Sequence, residues 1–213
     1  MATRMGQAIT GNAGRDQAGA QDRLSEAEVE ALTGDWPKAP ANIVQQMLKQ
    51  YGPPNEGTRH RLIWYHNGPW KRTEVTRDEI AHNFPAPHTD YITNWIDYPV
   101  PVHLATELTR YDGSCLIDRT AGEAGARCDS EAANFITLNF MHEIATGLKS
   151  VEAAREAYAS QMAAYLVGRP APYAEKLLFD PPRGGTVDPD EAVLAPQVAQ
   201  VKEKVKDLFR GDA

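Results

Sequence analysis

The sequence predicts an α+β domain: an antiparallel sheet of about five strands, built from two αββ-like units and covered by helices that include a C-terminal helical hairpin. Three observations carry this prediction. His66-Asn67-Gly68-Pro69 lies between the runs Arg61–Tyr65 and Trp70–Val75, and Asn-Gly between aromatic and β-branched residues is a strong local hairpin signal. Ala121-Gly122 separates Ser114–Thr120 from Glu123–Cys128 in a second hairpin pattern. Residues 131–146 and 151–166 carry apolar side chains at helical spacing behind serine caps.

Taken in chain order, residues 1–23 are glycine-rich and polar, and they read as a disordered tail. Ser25, followed three residues later by Glu28, is a capping-box pattern that opens a short helix ending at Gly34. Trp36–Pro40 is a stiff connector. Ala41–Tyr51 follows with Ile43, Val44, Met47, Leu48 and Tyr51 on one face, and Gly52-Pro53-Pro54 stops it. Pro69 removes a backbone donor beside the first turn, so a four-residue loop with Tyr65 opposite Trp70 is expected. Two prolines make Ile80–His88 extended and irregular, and Pro99 and Pro101 favour a strand over a helix for Tyr91–Pro99.

Pro101 opens a helix through Leu104, Leu108 and Tyr111, closed by Asp112-Gly113. If the second turn is centred on Ala121-Gly122, Cys115 and Cys128 stand directly opposite on a non-hydrogen-bonded pair, where side chains approach most closely. That spacing admits a disulfide and equally admits two reduced thiols. Asp129 or Ser130 caps a helix over Glu131–Thr146, dense enough in apolar residues to sit centrally. Ser150 caps the next, which ends at Gly168 and Pro170.

The domain organisation is therefore a tail at 1–23, a single α+β domain at 24–179, a Pro/Gly-rich linker at 180–190 and an amphipathic helix at 191–213. In that last segment Leu194, Val198, Val201, Val205 and Leu208 form a stripe alongside Lys202, Lys204 and Lys206. The stripe, 194–209, offers a face for a protein partner or for a second copy of the chain in a homo-oligomer.

With 42% hydrophobic and 24% charged residues in 213, the chain has the composition of a globular protein. A net charge of -7 argues against a nucleic-acid partner; the basic residues Arg59, His60, Arg61, Lys71 and Arg72 read as the solvated face of a sheet. No apolar run reaches the ~20 residues of a transmembrane helix. The first residues lack a secretory hydrophobic core, so the expected compartment is the cytoplasm, or the periplasm if a leader has been removed.

Candidate chemistry centres on histidines. His82, His88 and Asp90 lie on one proline-bent segment and His142 on the central helix, and together they supply the imidazole and carboxylate donors of a zinc or iron site. The zincin pattern His-Glu-x-x-His is absent, since Ile144, Ala145 and Thr146 follow His142-Glu143. There is no Gly-x-Ser-x-Gly motif and no P-loop. The aromatic residues Trp64, Tyr65, Trp70 and Trp95 form a candidate apolar surface for a ligand or partner.

The run Tyr51-Gly52-Pro53-Pro54, Trp64, Asn67-Gly68-Pro69-Trp70-Lys71-Arg72, His82-Asn83-Phe84-Pro85 and His88-Thr89-Asp90 resembles uncharacterised bacterial proteins, a resemblance that brings no activity with it. The helix, Gly-Pro stop and Trp-bearing strand also look like small periplasmic αββ modules that bind other proteins. The expected function is a non-enzymatic binding module engaging a protein partner or a small apolar ligand. The alternative is a metal-dependent enzyme using His82, His88, Asp90 and His142.

Overall fold

A computed structural model describes residues 22–182 together with Asp190, Gln200 and Val201. The chain divides into one unit of residues 13–187 and another of 1–12 with 188–213. Most of the expected tail, the linker after residue 182 and the amphipathic stripe lie outside the described residues, although Gln200 and Val201 are helical.

Within residues 22–182 the elements are α1 (Glu26–Thr33), α2 (Lys38–Tyr51), β1 (Glu56–Thr58), β2 (Arg61–Tyr65), β3 (Arg72–His82) and β4 (His88–Asp97). A 3-10 turn (Val102–Leu104) then leads into α3 (Ala105–Tyr111), β5 (Cys115–Asp118), β6 (Glu123–Cys128), α4 (Glu131–Ala145), α5 (Val151–Leu166) and α6 (Pro172–Glu175). The strands form one antiparallel sheet of six in the order β1-β2-β3-β4-β6-β5. The expected α+β class is present, with one more strand than the sequence suggested.

Register explains how the sheet is covered. Leu62, Val75, Ile92 and Cys128 form one cross-strand row, and Trp64, Thr73, Asn94, Ala126 and Cys115 form the next. Residues two apart on a strand share a face, so both rows lie on the same side of the sheet. That side is dry. Ile43, Val44 and Met47 of α2 pack on Leu62, Val75 and Ile92, while Phe135, Ile136 and Phe140 of α4 pack on Ala124, Ala126 and Cys115. The opposite side carries Arg72, Glu74, Thr93 and Trp95 and is only partly covered.

The caps follow the sequence. Ser25 and Glu28 form the capping box, and the Ser130 and Ser150 hydroxyls accept from the backbone N–H groups of Ala133 and Ala153. Gly52 ends α2 at φ 76° with its N–H on the Leu48 carbonyl, a conformation that costs glycine nothing. Glu131, in the first turn of α4, accepts from the Tyr51 hydroxyl and the Trp70 indole N–H. It ties α2 and the β2–β3 loop to the central helix.

Three local expectations are corrected. In the first hairpin Tyr65 faces Arg72, not Trp70, and the connection is six residues, His66–Lys71. Trp70 leaves the ladder because its side chain turns into the core, 2% exposed, to meet Phe135 and Glu131. In the second hairpin the Asp118 carboxylate accepts from the Ala121 N–H and closes a four-residue loop, Arg119–Gly122. The register consequently moves by two residues, Cys115 faces Ala126, Cys128 faces Ile92, and both cysteines are free thiols with no disulfide between them. Finally, Ile80, Ala81 and His82 are not irregular: they pair with Asp90, Thr89 and His88 after a bulge on β3 between Val75 and Ile80.

Candidate metal centre

The β3–β4 hairpin closes on a pair of histidines. His82, the last residue of β3, and His88, the first of β4, are register partners on either side of the loop 83–87. Asp90, two residues along β4, therefore points to the same side of the sheet as His88. The loop is anchored by Phe84, whose ring lies 5.0 Å from that of Tyr158 and under the Arg155 guanidinium at 3.9 Å. One ligand atom from each of His82, His88 and Asp90 falls within 4.8 Å of the others.

Asp90 is fully buried, and both histidine side chains are 16% exposed. Its carboxylate spans the two imidazoles. Oδ1 stands 3.0 Å from His88 Nε2, and Oδ2 stands 3.4 Å from His82 Nδ1. Ser114 Oγ donates to Oδ2 in a short hydrogen bond, and Arg127 Nε is 3.8 Å from the same oxygen. Yet Asp90 Oδ1, His82 Nδ1 and Arg127 Nε are buried and complete no hydrogen bond. Three orphaned polar atoms in one buried cluster are costly unless something else satisfies them.

The outer groups set the tautomers. His88 Nδ1 is 2.8 Å from the Ala86 carbonyl, which only accepts, so Nδ1 carries the hydrogen. In the neutral ring the Nε2 lone pair then faces Asp90 Oδ1. Two electron-rich atoms this close need a positive charge between them, either a proton or a metal ion. His82 turns Nε2 toward Asp112 Oδ1 at 3.5 Å, which leaves Nδ1 for the centre. Asp112, at the C-cap of α3, is itself held by the Ser114 N–H at 2.8 Å and the Thr137 hydroxyl at 3.2 Å. Burial raises its carboxyl above the usual range, opposed by the Ser114 N–H, His82 and Thr137.

Cys128 completes the surroundings. It ends β6, beside β4 in the sheet, and its Sγ lies 3.2 Å from His88 Nε2. Burial first, then the charge of Asp129, pushes the thiol well above its ordinary range. Cys115 is raised in the same direction by burial and Asp112.

The structure thus joins three of the four expected donors. His142 stands apart: its Nδ1 is 2.9 Å from the Tyr98 hydroxyl and its ring stacks on Phe179 at 4.1 Å. The expected aromatic surface is distributed differently. Trp64 and Trp70 are interior, 0% and 2% exposed, with their indole N–H groups on the Gly52 carbonyl and Glu131. Tyr65 and Trp95 are half-buried on strand positions of the opposite side, with Arg72 over the Trp95 ring at 4.5 Å. Sequence reading missed Asp112, Ser114 and Cys128 as neighbours of the histidines, because only the β4–β6 pairing and the turn after α3 bring them there. Among the described residues no helix is long and apolar enough to cross a membrane. Comparison with family models, with curated proteins and with solved structures finds no match to this chain.

Proposed function

We propose that this chain is a metal-binding protein whose centre is held by His82, His88 and Asp90 at the closed end of the β3–β4 hairpin. The supporting observation is that buried Asp90 Oδ1 and His82 Nδ1, both without hydrogen-bond partners, converge with a His88 Nε2 whose other nitrogen is occupied by the Ala86 carbonyl. A carbonyl or carboxylate on the outer nitrogen of each imidazole is the usual support of metal-ligating histidines. Tetrahedral zinc bonded at ~2.0–2.1 Å separates its N and O donors by ~3.3–3.4 Å. Asp90 Oδ1 stands 3.0 Å from His88 Nε2, close to that spacing, and the other carboxylate oxygen stands 3.4 Å from His82 Nδ1. The donor set suits zinc or ferrous iron better than calcium or magnesium, which favour all-oxygen sites.

The other reading, a non-enzymatic module for a protein or small apolar ligand, loses two of its four aromatic contacts to the core and rests on Tyr65 and Trp95. We test the metal reading with the full chain purified without chelator or affinity metal, loaded with zinc, desalted and analysed for metal. Wild type should retain about one equivalent and unfold at a higher temperature than the chelated protein, since a ligand at 100 times its Kd adds about 2.7 kcal/mol. His88→Ala and Asp90→Asn should lose both effects, whereas His142→Ala should keep the metal. Wild type that retains no metal, or His88→Ala that retains as much as wild type, would overturn the reading.

A further inference from the structure

We infer that Cys128 is the fourth ligand of this centre, making it a closed Cys-His-His-Asp site that staples the end of β6 to the β3–β4 hairpin. The inference rests on the metal reading above and adds the residue that fixes the centre's type. Its basis is where the sulfur stands. With Nδ1 committed to the Ala86 carbonyl, His88 has only Nε2 left to offer, and Cys128 Sγ sits 3.2 Å from that atom. The S–H has a second acceptor in Asp129 Oδ1 at 3.8 Å, so the Nε2 lone pair stays open to a metal. An ion bound at Nε2 then has this sulfur already beside it, within reach of a metal–sulfur bond. The step balances simply: the divalent ion displaces the thiol proton, one metal–sulfur bond replaces one S–H bond, and the proton leaves to solvent.

The placement fits. For bonds of ~2.3 Å to sulfur and ~2.0–2.1 Å to nitrogen, the S···N edge of a tetrahedron is ~3.6 Å, so Sγ needs to move only a few tenths of an ångström relative to His88. Cys128 pairs with Ile92 on β4, two residues from Asp90, and faces the same side of the sheet. Asp90 Oδ1, which is buried and has no hydrogen-bond partner, faces the same Nε2 from 3.0 Å. Sulfur and carboxylate therefore approach one imidazole nitrogen together. Four protein donors, one of them a thiolate, select zinc over magnesium or calcium and leave no open position for substrate. The role that follows is structural, and it links the loop at 83–87 to a strand 40 residues further along the chain.

Cobalt(II), a spectroscopic stand-in for zinc, tests this directly. The cobalt-loaded wild-type chain should show sulfur-to-cobalt charge-transfer absorption in the near ultraviolet together with the intense visible bands of a tetrahedral ion. Cys115→Ser should keep the charge-transfer band. Cys128→Ser should lose it, and its zinc affinity in chelator competition should fall by at least ~100-fold, beyond the ~10–100-fold typical of an outer-shell partner. Cys128→His, which keeps a nitrogen donor in place of sulfur, should retain zinc while losing the band. A wild-type protein that binds cobalt stoichiometrically without the band overturns the Cys128 assignment and leaves the three-residue centre standing. A wild-type protein that binds no cobalt or zinc overturns both. The wild-type spectrum needs no variant to fold.

Discussion

Thr73→Val isolates a polar thread through the core. Thr73 is 0% exposed on β3, and its hydroxyl oxygen accepts from Asn67 Nδ2 at 2.9 Å and from Asn94 Nδ2 at 2.8 Å. Asn94 Oδ1 in turn accepts from Asn134 Nδ2 at 2.7 Å, so the thread runs from the β2–β3 loop across two strands into α4. A hydroxyl oxygen has two lone pairs, and both are used. Valine matches the shape and removes the acceptor, stranding one N–H on each of two buried amides. Each stranded donor costs about 1–3 kcal/mol, and the added methyl returns roughly 0.8 kcal/mol of apolar burial. Two donors at about 2 kcal/mol each, less the methyl term, leave a net loss of about 3 kcal/mol. Thr73→Ser keeps the acceptor and deletes one methyl, which costs about 1 kcal/mol. Equilibrium urea unfolding of the three proteins at one temperature measures both changes, provided the slope m is unchanged. A valine variant as stable as the serine variant, or more stable, would refute the hydrogen-bond accounting and leave packing alone to explain why Thr73 is buried.

Two further outcomes follow from the same physical grounds. Gly125→Ala should lower the melting temperature, because a Cβ there would lie 2.8 Å from Trp95 Cδ2 and Cε3 while Arg72 covers the same indole at 4.5 Å. Overpacking of this kind costs about 1–3 kcal/mol, and differential scanning calorimetry showing no decrease would mean that Trp95 swings freely. His142 should make the protein acid-sensitive. Burial, opposed by Glu143, lowers its pKa below 6.5, so the folded state binds fewer protons than the unfolded chain, and stability falls as pH drops through the window beneath 6.5. The drop in urea midpoint from about pH 7.5 to about pH 5.5 should shrink in His142→Gln; equal drops would refute this account.

The local sequence determined the element types. Serine caps at 25, 130 and 150, the glycine stop at 52 and apolar spacing along 131–145 and 151–166 act within one or two turns, and the corresponding helices are present. His82, His88 and Asp90 were legible as a group because they lie close together in the chain. Tertiary packing decided the first register, since Trp70 left its ladder position to reach Phe135 and Glu131, whereas the second was set inside its own turn, where the Asp118 carboxylate on the Ala121 N–H made a four-residue loop that moved Cys115 away from Cys128. A shift of two residues keeps every side chain on its own face, so alternation in the sequence cannot distinguish the two registers. Packing also decided which side chains stand beside His82 and His88. His142 was diverted to Tyr98 and Phe179, while Cys128 and Asp112 arrived from β6 and from the end of α3. Those contacts span 30 to 44 residues of chain and depend on which elements lie beside which, information that the spacing of residues along the sequence does not carry.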